Sequence, residues 1–151
     1  MKKIIYGSLL LLLVLMISAC GKENSNSPAN PSPDLPSYYG TWTVQSIVGS
    51  TPVSTEADES FIGMKAAYSD EEASFGTEEL LNPQYKEQEL TNEQFVSEYQ
   101  NKLSDIGIES DKVRTVAISN WTNAGSSFII KDDQTMIFLW DGNYYEMKKE
   151  Q

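Results

Sequence analysis

Apolar and polar residues alternate with a period of two at both ends of the region from residue 38 to 151. Between Tyr39 and Val48, the set Trp42, Val44, Ser46 and Val48 alternates with Thr41, Thr43, Gln45 and Ile47, as in a strand with one buried face. Near the C-terminus, Ser127 to Lys131, Thr135 to Trp140 and Asn143 to Lys148 are β-rich runs. They are separated by Asp132-Asp133-Gln134 and by Asp141-Gly142, and Asp-Gly is a strong hairpin signal, so these runs predict a meander. Val113 to Ser119 is a further strand, ended by the polar stretch 120–126. In the middle, Met64 to Ser69 and Ala73 to Glu79 pair across Asp70-Glu71-Glu72, and Gln84 to Leu90 follows Asn82-Pro83. The pattern predicts eight strands.

Two helices interrupt them. Ser54 to Ile62 reads as a short helix capped by Ser54 or Thr55 and closed at Gly63. The other starts at Thr91, where Gln94 three residues on completes a capping box. Its apolar positions Phe95, Val96, Tyr99 and Leu103 make one stripe, set opposite Glu93, Glu98, Gln100 and Lys102, and that stripe is expected to pack on the domain. The fold class expected is mainly β. Eight antiparallel strands with edges to hide predict an up-and-down β-barrel with one short and one medium helix. A barrel of that size is either filled by side chains or holds one small ligand.

The segment before this domain has a different character. Met1-Lys2-Lys3 is cationic, and Ile4 to Ile17 is an almost unbroken apolar run, shorter than the roughly 20 residues a bilayer-spanning helix needs. It ends in Ile17-Ser18-Ala19-Cys20, which resembles a bacterial lipobox: small side chains admit the signal peptidase, and the thiol is the nucleophile that takes the diacylglyceryl group. Residues 1–19 are therefore expected to be a lipoprotein signal peptide, and Cys20 the acylated N-terminus that anchors the protein to the extracytoplasmic face of the cell membrane. From Gly21 to Ser37 the chain is rich in Pro, Ser and Asn, with Leu35 its one large apolar side chain. The lipidated Cys20 and this segment (20–37) read as an extended tether, and 38–151 as a single domain.

Composition narrows the chemistry. The chain of 151 residues carries 22 acidic and 11 basic side chains, a net charge of −11, with one Cys and no His. Removal of Lys2 and Lys3 with the signal peptide makes the balance still more acidic. Such a chain suits neither nucleic acid nor His-based catalysis, disulfides or thiolate metal clusters. Glu71-Glu72, Glu78-Glu79 and Asp132-Asp133 fall mostly in turns without a calcium-loop pattern, so no metal or other cofactor is expected. Neither a nucleophile elbow nor a phosphate-binding loop is present, and the protein is not expected to be an enzyme.

Gly40-Thr41-Trp42 on the first strand resembles the Gly-x-Trp signature of lipocalins. The run Leu139-Trp140-Asp141-Gly142-Asn143-Tyr144-Tyr145-Glu146-Met147-Lys148-Lys149 looks like the closing hairpin of small lipocalin-like (calycin-type) lipoproteins of Gram-positive bacteria. The resemblance implies a barrel-closing role for Gly40 and Trp42, with a cation from Lys148 or Lys149 over the indole. The chain departs from the family in offering Lys where Arg is usual. It also lacks the long C-terminal helix and disulfides of animal lipocalins, and adds a helix between the fourth and fifth strands.

That group usually binds a small hydrophobic or amphipathic molecule in the barrel. Alternate strand positions put Tyr68, Phe75, Tyr85, Phe128, Ile130, Phe138, Trp140 and Tyr145 toward the interior, either as ligand contacts or as core. The phenols of Tyr68, Tyr85 and Tyr145 need partners that a ligand can supply. The acidic charge supports a second expectation, a surface lipoprotein that binds a cationic protein such as lysozyme. A third is an accessory protein that hands a ligand to a transporter. A monomer is expected.

Overall fold

A computed structural model describes residues 35–151; the expected signal peptide, Cys20 and the expected tether up to Asp34 lie outside the described residues. The domain is mainly β. Its strands are β1 (Gly40–Ser50), β2 (Lys65–Tyr68), β3 (Glu72–Phe75), β4 (Glu78–Leu81), β5 (Gln84–Thr91), β6 (Lys112–Ser119), β7 (Ser127–Asp132), β8 (Thr135–Trp140) and β9 (Asn143–Lys149). All pair antiparallel in one nine-stranded sheet of order β4-β3-β2-β1-β9-β8-β7-β6-β5. The sheet is strongly curled. Tyr68 on β2 and Phe128 on β7 have three strands between them in that order, yet their ring centroids lie 4.6 Å from one another.

The sheet is not the closed eight-stranded barrel expected from the sequence: it has nine strands and its edges β4 and β5 do not pair. The ninth strand arises because the run from Ala73 to Glu79 folds back on itself. Gly76 adopts φ +60°, and Phe75 pairs with Glu78 across the two-residue turn Gly76-Thr77. In an antiparallel sheet of nine strands the first and last run in the same direction, so β4 and β5 are parallel in sense. They are also consecutive in the chain, joined through Asn82 (φ +52°) and buried Pro83. Asn82 N–H donates to Glu71 O at 2.7 Å, outside the ladder, and Pro83 has no N–H to offer. The two edges are short or charged: β4 reads Glu-Glu-Leu-Leu, and β5 exposes Lys86, Glu87, Gln88 and Glu89, which discourages edge-to-edge association.

The last three strands form the expected meander. Asp141 and Gly142 both take positive φ (+47° and +81°), the conformation a tight two-residue hairpin requires. Both faces of this meander are buried. Met136, Phe138, Tyr145 and Met147 face the concave core with Trp42, Val44 and Phe128. Ile129, Ile137 and Tyr144 face a second core on the convex side with Leu90, Phe95 and Leu103.

Among the described residues one α-helix, α1 (Asn92–Tyr99), covers the convex core. Thr91 caps it, and the capping box with Gln94 is complete: the Thr91 hydroxyl accepts from Gln94 N–H, and the Gln94 side chain accepts from Thr91 N–H. It stops at Gln100, which is left-handed (φ +59°), before the predicted stripe reaches Leu103. Leu103 is buried all the same, as the first residue of a separate 3-10 segment, Leu103–Ile106.

The helix predicted from Ser54 to Ile62 is replaced by a 3-10 turn, Glu59–Phe61, capped by Asp58. Thr55 gives both its N–H and its hydroxyl to Asp141 O instead of capping a helix, and the side-chain cap falls to Asp58, which accepts from Ser60 N–H.

Candidate functional site

The site is built on a sealed base. Trp42 is fully buried, and its Nε1–H donates to Tyr38 O at 2.9 Å. The register pairs Trp42 with Lys149 and Thr43 with Lys148, and paired residues share a face of the sheet. Lys149 Nζ therefore stands 5.3 Å from the Trp42 ring centroid and donates to Ser37 O at 2.7 Å. Lys148 points the other way, to Thr135 Oγ1 at 2.8 Å and Glu146. Gly40 leaves room for the lysine stem: a Cβ there would lie 3.0 Å from Lys149 Cε. Tyr38 continues the seal, packing at 5.2 Å on Tyr85 and at 5.5 Å on Phe128.

Above this base the interior is filled with rings. Tyr68, Phe75, Tyr85, Phe128, Ile130, Phe138, Trp140 and Tyr145 all belong to the concave cluster. Phe75 meets Phe138 edge-on at 5.0 Å, and Phe138 stacks on Tyr145 at 4.9 Å. The phenols have partners within the protein. Tyr68 donates to Gly125 O at 2.9 Å, Tyr85 donates to Ser69 O at 2.8 Å, and Tyr145 accepts the Asp58 N–H at 2.9 Å. Burial holds the Tyr68, Tyr85 and Tyr145 hydroxyls above their ordinary range, so they are neutral at physiological pH.

The most apolar of the clefts lies at the end opposite Trp42. A cleft of about 510 Å³ is framed by three connections, the β1–β2 loop, the β3–β4 turn and the β6–β7 loop, and by the end of β8. Its apolar lining is Phe61, Met64, Phe75, Ala124 and Trp140, and its polar lining includes Thr77, Glu78 and Asn123. Phe61 is the floor, packed edge-on at 5.2 Å on Tyr145 and at 5.6 Å on Phe75. Asn123 Nδ2 donates to Glu78 Oε2 at 3.2 Å, joining two of the connections across the rim.

Of the interior positions read from strand alternation, Phe75 and Trp140 line this cleft; the others lie outside its lining. Phe61, Met64, Asn123 and Ala124 escaped the sequence reading. They sit at the end of or beyond regular strands, where no period marks an inward face, and Phe61 was assigned to a helix that does not form. Among the described residues no group of acidic, Cys or His side chains is arranged to hold a metal ion. No family model, curated protein or solved structure matches the chain.

Proposed function

We propose that this is a non-enzymatic, lipid-anchored binding protein of lipocalin-like plan, held by acylated Cys20 on the extracytoplasmic face of the membrane, that takes a small hydrophobic or amphipathic ligand at its mouth. The observation that carries the reading is the apolar cleft set on an aromatic stack, with its lining drawn from three separate connections and the end of β8. The lipocalin-like plan draws support from the β4–β5 junction. Two strands of the same sense, consecutive in the chain and joined by Asn82-Pro83, read as the two halves of one bent strand, which returns the count around the ring to eight. The lysine over a buried indole at the base fits the same plan. Anchoring rests on the lipobox alone.

Two experiments test the reading. Metabolic labelling with a fatty-acid probe is expected to mark the wild-type chain in its host and not Cys20→Ser. Native mass spectrometry of the chain released from host membranes is expected to show a co-purified small molecule that Trp140→Ala fails to retain. Bare protein from the wild type, with no apolar probe binding at the mouth, overturns the ligand reading.

A further inference from the structure

The mouth has one sign of charge. The connections at this end of the sheet, 51–64, 76–79, 120–126 and 141–142, contain Glu56, Asp58, Glu59, Glu78, Glu79 and Asp141 and no Lys or Arg, and of these acids Glu78 lines the cleft itself. Among the described residues none of these carboxylates takes part in an ion pair. Lys65, the first cation after the β1–β2 loop, is committed to Glu150 at 2.9 Å. Glu78 belongs to the cleft lining itself and is held in place by Asn123. Asp58 is fixed as a carboxylate below its usual range by hydrogen bonds from Ser60.

We infer that the mouth selects a cationic amphiphile, a ligand with an apolar body and a protonated or quaternary amine, with Glu78 as its counter-charge. The inference rests on the mouth being the ligand site, and adds the class of ligand. The chemistry is one of elimination. An anionic headgroup meets only like charge at the rim. A neutral ligand that covers the cleft strips water from Glu78 and returns nothing. A cation compensates that carboxylate and meets the aromatic side chains of Phe61 and Trp140 in the same lining. At about 510 Å³ the cleft has room for a small amine.

The test uses the full chain in zwitterionic lipid nanodiscs, with empty nanodiscs subtracted, and three probes of equal chain length: octyltrimethylammonium, octanol and octyl sulfate. Affinity is read by calorimetry. Location is read from the fluorine resonances of 5-fluorotryptophan at the three tryptophans, with Trp140 assigned by Trp140→Phe. The expected result is that the cation binds about fivefold more tightly than octanol, with octyl sulfate weaker still, and that the preference shrinks with added salt. Binding should move the Trp140 resonance, and Glu78→Gln should bring the cation down to octanol without weakening octanol. Equal binding of all three probes at Trp140, or a preference that survives Glu78→Gln, overturns the charge inference and leaves the mouth as a ligand site. No shift at Trp140 with any probe overturns both. Salt-sensitive binding of lysozyme or oligolysine with no response to the small probes overturns both in favour of a protein partner.

Discussion

Lys149 Nζ lies 5.3 Å from the centre of the Trp42 ring while donating to Ser37 O, so one ammonium group joins the last strand, the first strand and the segment that enters the domain. Lys149→Met keeps the stem but removes both interactions. A destabilisation of about 1–2 kcal/mol is expected in urea unfolding, with Lys149→Arg close to wild type. A double-mutant cycle with Trp42→Leu should return a coupling of about 0.5–1 kcal/mol; additive losses would mean the cation and the ring act independently.

Gly125 is constrained from two directions. Its φ is +77°, and a Cβ would lie 2.5 Å from Phe75 Cδ2 and 3.0 Å from the Tyr68 hydroxyl, which donates to the Gly125 carbonyl. Gly125→Ala should therefore cost about 2–4 kcal/mol, combining backbone strain with overpacking. Gly63 also has positive φ (+85°) but open space around it, so Gly63→Ala should cost about 1 kcal/mol. Equal losses at the two positions would show that packing at Gly125 contributes nothing.

The tyrosines set an alkaline limit. Burial raises the phenols of Tyr38, Tyr68, Tyr85 and Tyr144 above the ordinary 10.0, with Glu87 adding to the rise at Tyr38. The unfolded chain releases these protons near its ordinary value while the folded chain retains them, so the folded state binds more protons and stability falls as pH rises. The contribution is fully present below about pH 10 and is lost above it. Spectrophotometric titration should show these phenols ionising together with unfolding; early, gradual ionisation without loss of near-ultraviolet circular dichroism would contradict it.

Phe61 separates the cleft from the packed interior, with its ring against Phe75, Phe138 and Tyr145. Phe61→Ala should lower stability by about 2 kcal/mol, less than a fully buried ring because Phe61 keeps partial exposure. The same change deepens the cleft, so longer alkyl probes should gain affinity relative to short ones. An unchanged chain-length preference would mean that Phe61 does not form the floor.

The second helix cap, the Asp-Gly hairpin and the alternation on β7–β9 were legible because they depend on residues a few positions apart: a hydroxyl reaching Gln94, two positive φ angles, side chains on alternate faces. The same alternation grouped Tyr68, Phe75 and Phe138 before any distance was known. Local signals failed where a residue had a competing partner far along the chain. Ser54 and Thr55 have the chemistry of a helix start, but Thr55 spends its hydroxyl on Asp141 O in the hairpin and the cap moves to Asp58. Gly76 turned one predicted strand into two because Glu78 and Glu79 find partners on β3.

From its own residue order the chain determined a β-rich domain, its meander, its capped helix and the inward set of aromatic side chains, since each follows from backbone geometry over short separations. Only the tertiary structure decided that Lys149 rather than Lys148 meets Trp42, that the sheet stays open between β4 and β5, and that three loops and the end of β8 enclose an apolar cleft with a carboxylate at its edge. Those outcomes depend on register and curl, which bring together residues as distant as Phe61 and Trp140, and no spacing within a single segment encodes them.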